Sequence, residues 1–355
     1  MKHQNASSGP ALMLWRSLPV SARNLLRPLA YRLAGREGAP VPPQPAPVSP
    51  APAVSAVEPG DMATVVADYW TGHNVTMHKM FQSREESLDY FHWRGDQYPG
   101  YMSLMPVTGA DGLDVLDYGC GPGHDLVGFV EFSKTRRLVG IDVSSSSLTE
   151  ARHRLALHGG QQVELVLAAP NATRFDFPDN SFDYIHSSGV LHHVSDLPAT
   201  LKELRRLLRP GGRLQVMVYN YDSLWMHLYV AWMLRFQQNT IPPELPIRTA
   251  FTRATDGPDC PIANCYTAQE FGAIAQQAGF DWRFVGVAMS LHELECANVN
   301  LYQACMDRKL EREHREFLLA LTFDERGTPL YKGVPAGIDL VLELRHSGDP
   351  AHGPA

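Results

Sequence analysis

Apolar positions in this chain fall into short runs set between stretches of helical spacing. Val115-Leu116 lead, as a buried strand would, into Asp117-Tyr118-Gly119-Cys120-Gly121-Pro122-Gly123. Three glycines at alternate positions let the backbone turn tightly there and turn its N–H groups toward a ligand. Residues 125–132 then begin a helix, and a strand, a glycine turn and a helix N-terminus together make a nucleotide-type site. Residues 138–142 read as a second strand ending in a carboxylate, and residues 144–158 as a helix with serines available for its N-cap. A fourth strand spans 182–187. A helix over 201–208 is stopped by Arg209-Pro210-Gly211-Gly212, and a fifth strand spans 213–219. Residues 282–288 and 338–345 are the last two strands, an antiparallel pair.

Two insertions interrupt this series. Leu224, Trp225, Leu228, Tyr229, Trp232, Met233 and Phe236 form an apolar face too broad to stand in water. It ends before a helix opened by Thr267 and Glu270 as a capping box. Residues 290–336 replace a short turn, with a helix around 310–321 and His292, Glu293 and Glu295 at the entrance. The expected divisions are a disordered basic tail and Pro/Ala-rich linker (1–60), a helical lid (61–112), a core (113–220), an apolar helical insertion (221–266), the end of the sheet (267–348) and a disordered tail (349–355).

Composition narrows the class. With 355 residues, 44% of them hydrophobic, the chain can bury one large α/β core with additions. The formal net charge of −7 argues against a nucleic-acid partner, because an acidic body repels phosphate backbones. Arginines among Leu18, Ala22, Leu25, Leu29 and Leu33 make the N-terminal segment basic and apolar, a loosely ordered tail or one that lies on an anionic membrane surface. Five cysteines without a Cys-x-x-Cys pair point to a reduced, cytoplasmic compartment and to no metal.

Further motifs follow in register. Asn171-Ala172, the run from Pro178 to Ile185, Leu191-His192-His193-Val194 and Leu208-Arg209-Pro210-Gly211-Gly212 continue the glycine turn and Asp142. In this order and spacing the chain resembles the class I S-adenosylmethionine-dependent methyltransferases, specifically the small-molecule group often called type 11. The likeness is close from Leu113 to Tyr219. His124 stands where a dinucleotide fingerprint wants its third glycine, which disfavours a nicotinamide enzyme.

The resemblance implies a doubly wound, seven-stranded Rossmann-like sheet of order 3-2-1-4-5-7-6. It implies S-adenosylmethionine as cofactor, held by Gly119, Gly121 and Gly123, with Asp117 orienting the methionine amino group and Asp142 accepting the ribose hydroxyls. Asn171 stands where the family usually has an aspartate. Its carbonyl and the Ala172 N–H are the expected adenine contacts, and Ser188 lies beside the methyl group. Among the lid aromatics Arg94 and Tyr98 are the expected contacts to the methionine end. His193 and His292 are the candidate bases, with a structural hydrogen bond as the other reading of His193. The expected reaction is methyl transfer to an O or N nucleophile of a small molecule or sugar. The rivals are a non-catalytic S-adenosylmethionine-binding subunit and a macromolecule-modifying methyltransferase.

Overall fold

The computed structural model describes residues 59–73, 80–170 and 172–348. The basic tail, nearly all of the linker, Asn171 and the last seven residues of the sequence lie outside the described residues. Among the described residues ten strands are formed: β1 (Asp114–Tyr118), β2 (Arg137–Asp142), β3 (Glu164–Leu167), β4 (Phe182–Ser188), β5 (Leu208–Tyr219), β6 (Phe280–Ala288), β7 (Thr322–Phe323), β8 (Pro329–Tyr331), β9 (Val334–Pro335) and β10 (Asp339–His346). Seven make one sheet in the order β3-β2-β1-β4-β5-β10-β6, and β7, β8 and β9 make a small second sheet. The first five strands run parallel, whereas β10 pairs antiparallel with both β5 and β6. This is the expected topology, in which the last strand inserts between the fifth and the sixth.

The sheet is covered on both faces because neighbouring side chains of a strand point opposite ways. On β1, Leu116 enters a core with Leu201, Leu204, Phe271 and Ala275, while Val115 enters another with Phe91, Leu126, Phe129 and Leu155. The covering helices are α1 (Pro59–Gly72), α2 (Arg84–Gln97), the short α3 (Tyr101–Leu104), α4 (His124–Phe132), α5 (Ser145–Leu157) and α6 (Leu197–Leu207). After β5 come α7 (Trp225–Gln237), α8 (Ile247–Thr255), α9 (Ala268–Gln277), α10 (Leu291–Met306) and α11 (Arg312–Leu319). Local chemistry sets several of their ends. Ser144 caps α5 through the Ser147 N–H, Asp196 caps α6 through the Ala199 N–H, and the Thr267/Glu270 box opens α9. Among the described residues no helix is long and apolar enough to cross a membrane.

The structure differs from the sequence reading at several boundaries. The helix that opens the described part begins at Pro59, just ahead of the expected border, with proline where its missing N–H costs nothing. β5 starts at Leu208 and not at Arg213. Its pairing with β4 is irregular between Phe182 and Tyr184, which takes up Pro210, Gly211 and Gly212. The insertion helix α7 is π-wound, the Gln238 N–H closing on the Met233 carbonyl at 2.8 Å, and residues 226–235 are all buried. His292 and Glu293 belong to the first turn of α10, a helix the sequence reading did not contain.

Glu293 joins the two insertions to the sheet. Its carboxylate accepts the Ser290 N–H and hydroxyl (both 2.8 Å), the Trp225 N–H (3.1 Å) and the Ile338 N–H (3.4 Å). Burial pushes its pKa up to about 7 even though these hydrogen bonds pull it down. The folded protein therefore binds this proton more tightly than the unfolded chain. The stability it contributes is full below the ordinary Glu pKa of about 4.3 and is lost as pH rises through the folded value. Glu293→Gln stays neutral, so it should gain stability relative to the parent between roughly pH 5 and pH 8, by at most about 4 kcal/mol. Urea midpoints measured across that range test this, and a difference independent of pH contradicts it.

Candidate active site

The site begins at the glycine turn. Gly119, Gly121 and Gly123 have φ of 77°, 51° and 78°, the left-handed region that side chains disfavour. At Gly119 space excludes a side chain as well, because a Cβ would lie 2.3 Å from Val190 after β4. The Gly119 and Cys120 N–H groups donate to the Ile141 carbonyl at 2.7 and 3.0 Å, and the Gly121 N–H donates to Asp142 Oδ2 at 2.8 Å. Gly123 precedes α4, and its Cβ would press on Ala151 of α5 at 3.1 Å. The carboxyl ends of β1, β2 and β4 are thus held together.

Outside these ends lies a cavity of about 200 Å³, lined by Gly119, Gly121, Asp142, Ala172, Ser188 and His193, with Ala63, Val66 and Trp70 of α1 on its wall. Burial raises the Asp142 pKa, and the N–H groups of Ser144, Gly121 and Val143 oppose the rise. Its two oxygens each take one of these at 2.8 Å, which leaves acceptor capacity on a group that can accept about four hydrogen bonds. Ala172 also borders the cavity, but its N–H is already used by the Ala169 carbonyl at 3.0 Å, so the expected adenine contact from that N–H is not on offer.

A buried polar cluster adjoins the cavity through Ser188, whose hydroxyl is hydrogen-bonded to Tyr101 of α3. Asp117 is only 2% exposed and stands in register with His186 on β4. His186 bonds Tyr184 through Nδ1 at 2.9 Å and Asp125 of α4 through Nε2 at 3.2 Å. Burial opposes its charge, but Tyr184, Asp125 and Asp117 together raise its pKa well above the ordinary value. Burial would raise Asp125, yet His186, His124 and Arg94 hold it low. For Asp117 burial wins and pushes the pKa up, opposed by His186.

Arg94, half-buried in the last turn of α2, sets its charge against Tyr90, Asp125, Tyr101 and Tyr98. Arg94 and Tyr98 therefore belong to this cluster and not to the cavity wall. The lid expectation divides accordingly: α1 borders the cavity, while Phe91 of α2 packs into the core and stacks on His124 at 4.8 Å.

The two candidate histidines are placed differently. His193 is in the cavity wall, edge-on to Trp70 at 4.7 Å, with Nδ1 2.6 Å from the Ile262 carbonyl and Nε2 3.9 Å from Asp256 Oδ2. The Ile262 carbonyl can only accept, so Nδ1 carries a proton and Nε2 is the ring atom turned toward Asp256. His292 is outside the cavity wall. It packs on Trp225 and Tyr229, 3.5 Å from Cys296 Sγ, and burial lowers its pKa.

Sequence reasoning missed four members of the site. Asp125 and His186 form the buried pair. Asp339 opens β10 with its pKa raised well above the ordinary value by burial and by Glu293, against Arg94. Asp256 accepts the Tyr219 hydroxyl at 2.8 Å. Two signals were available: His186 follows Tyr184-Ile185 in β4 and Asp339 precedes Leu340-Val341-Leu342 in β10, and an ionisable residue beside such buried runs must have a partner.

A sequence model of a family described as "Methyltransferase domain" matches residues 110–239. The chain is 31% identical over 188 residues to an uncharacterized 37.1 kDa protein in transposon TN4556 of Streptomyces fradiae, covering 52% of this chain and 49% of the relative. It is 40% identical over 117 residues to a ubiquinone/menaquinone biosynthesis C-methyltransferase of Hahella chejuensis, covering 31% and 44%. It is 32% identical over 169 residues to a demethylmenaquinone methyltransferase of Listeria monocytogenes, covering 44% and 68%. The chain thus spans less than half the length of the first two relatives.

The contact between Gly119 and Val190 can be tested by a double-mutant cycle. Gly119→Ala should destabilise the fold by about 2–4 kcal/mol, from left-handed strain and overpacking together. Adding Val190→Ala should recover at least about 0.5 kcal/mol beyond additivity. Strictly additive urea midpoints would show that the two residues do not collide.

Proposed function

Because this chain belongs to the class I S-adenosylmethionine-dependent methyltransferases, we propose that it transfers a methyl group to an oxygen or nitrogen nucleophile of a small molecule or sugar. The observation that carries this reading is the buried polar cluster beside the cavity, in which Arg94 and Asp117 each neighbour Asp125 close to the glycine turn. S-adenosylmethionine supplies, when bound, a methyl group already activated on a sulfonium.

The residues present fit that cofactor. At Gly121 nothing lies within 4 Å of the place a Cβ would occupy, so the turn's backbone is open there. Asp142 has acceptor capacity for the ribose hydroxyls. Arg94 suits the methionine carboxylate, and Asp117, held in a site that disfavours an unpaired carboxylate, suits the ammonium. Tyr101 and Ser188 hold each other at the seam between cavity and cluster, and burial keeps Tyr101 a neutral phenol.

The acceptor pocket in this reading is bounded by His193, Tyr98, Tyr219, Asp256 and Asp339, which lie in one electrostatic neighbourhood. Polar walls of this kind suit an acceptor rich in hydroxyl or amino groups. The chain's work is then to align the nucleophile and exclude water, and α1 with Trp70 and the apolar insertion serve the second need. His193 Nε2 is the candidate basic atom in the wall, whereas His292 does not line the cavity and packs on Trp225 and Tyr229. A carbon acceptor is the second reading, favoured by the C-methyltransferase name of the Hahella relative.

Three measurements test the reading. Label from methyl-labelled S-adenosylmethionine should pass into the low-molecular-mass fraction of a cell extract, and label confined to protein or nucleic acid contradicts it. Asp142→Ala should weaken S-adenosylmethionine binding by about 1.5–3 kcal/mol. Arg94→Lys keeps the charge but loses the bidentate fork, so affinity should fall for S-adenosylmethionine and S-adenosylhomocysteine alike. Binding of 5′-methylthioadenosine, which lacks the carboxylate, should hardly change. Equal losses for all three ligands, or none, would remove Arg94 from the cofactor site.

A further inference from the structure

Among the described residues, His193, Asp256 and Cys260 bring a ring nitrogen, a carboxylate oxygen and a sulfur within 4.8 Å of one another. We propose that these three side chains bind a divalent ion of the zinc class, in the wall of the acceptor pocket, with a fourth position left for the acceptor's own oxygen or nitrogen. The ion site stands on its own geometry, and only the acceptor at the fourth position rests on the methyl-transfer reading.

The ligand types and their surroundings carry the proposal. Imidazole, thiolate and carboxylate are the ordinary zinc ligands, and three protein ligands with an open fourth position is the pattern of reactive rather than structural zinc. Around a tetrahedral zinc, ligand atoms lie roughly 3.3–3.7 Å apart. His193 Nε2 and Asp256 Oδ2 are 3.9 Å apart and no pair of the trio exceeds 4.8 Å, so side-chain rotations that shorten the gaps by about 1 Å close the set.

The outer contacts also match. Metal-bound histidine usually donates its other N–H to a carbonyl, as His193 Nδ1 does to Ile262 at 2.6 Å. The Tyr219 hydroxyl holds Asp256 Oδ1 at 2.8 Å, while Asp256 Oδ2, the oxygen facing His193, is buried without a hydrogen-bond partner. Cys260 Sγ is 3.4 Å from the Ile262 carbonyl, and it gives up its thiol proton on binding. Tyr69 of α1 hydrogen-bonds the Asp256 backbone carbonyl, so the helix that borders the cavity also braces this loop. The sequence showed none of this, because His193 lies far along the chain from Asp256 and Cys260, which share one loop.

The ion clarifies how a hydroxyl acceptor is activated. Coordinated at the fourth position, the hydroxyl loses its proton to solvent near neutral pH. The oxygen lone pair then forms the bond to the methyl carbon as the carbon–sulfur bond breaks, and that electron pair stays on sulfur. His193 Nε2 is in this case a ligand and not the proton acceptor.

The test uses the full chain, stripped with a chelator and titrated with Co²⁺, followed by Zn²⁺ in competition with a chromophoric chelator. About one Co²⁺ per chain should bind with a thiolate-to-cobalt charge-transfer band, and Zn²⁺ should displace it. Cys260→Ser should abolish the band and lower Zn²⁺ affinity at least about 100-fold, and Tyr219→Phe should lower it about 10–100-fold. Cys265→Ser, at a buried cysteine outside the trio, should change neither. S-adenosylhomocysteine affinity in each variant reports separately on the fold and on the cofactor reading. Should Cys260→Ser fail to fold, Zn²⁺ protection of Cys260 from alkylation in the unaltered chain decides the matter. Absence of the band, its survival in Cys260→Ser, or alkylation of Cys260 unaffected by Zn²⁺ overturns the proposal.

Discussion

The site depends on how closely the turn after β1 approaches the turn after β4. Gly119 faces Val190 with no room for a Cβ, and its N–H shares the Ile141 carbonyl with Cys120. Three strand ends are locked by this contact and by the Asp142 carboxylate that takes the Gly121 N–H. A side chain at Gly119 would wedge β1 from β4, move Asp142 away from the turn and open the floor of the cavity. The geometry is local, but it sets the position of every group that follows.

Charge is the second constraint. Asp117, Asp125, His186 and Arg94 are drawn together where burial alone would neutralise several of them. Removing an ion from water costs several kcal/mol, so such a cluster persists only because its members offset one another. The balance is uneven: the His186–Asp125 pair is satisfied, whereas burial disfavours the charged form of Asp117 until a cation reaches it, and Arg94 is half-buried and open to a ligand. A zwitterionic amino-acid end answers both needs at once, which is why this cluster, more than the size of the cavity, supports the functional reading.

The strands of the core and the glycine turn were legible in the sequence because their signals are local, whereas the strand order came from the family resemblance. Branched apolar runs, glycines at fixed spacing and an aspartate at a strand end can each be read within a few residues. The insertions were less legible. α7 is buried on every side and π-wound, so neither an amphipathic stripe nor a 3.6-residue period marks it. α10 and the small sheet of β7, β8 and β9 also went unread, and the bulge at the start of β5 disguised its first residues as a helix stop. In the site, Asp142 could be assigned from its position, whereas the Asp125–His186 pair joins residues 61 apart in sequence. His292 looked catalytic only because it seemed to open an insertion. In the fold it packs among Trp225, Tyr229 and Cys296.

The most direct test of the account is a crystal structure of the chain with S-adenosylhomocysteine. The account predicts the ribose hydroxyls on the Asp142 carboxylate, the amino-acid end between Asp117 and Arg94, and the sulfur near Ser188 with its open side toward His193 and Asp339. A ligand bound elsewhere, or seated in the cavity with its amino-acid end pointing away from Arg94, would contradict it.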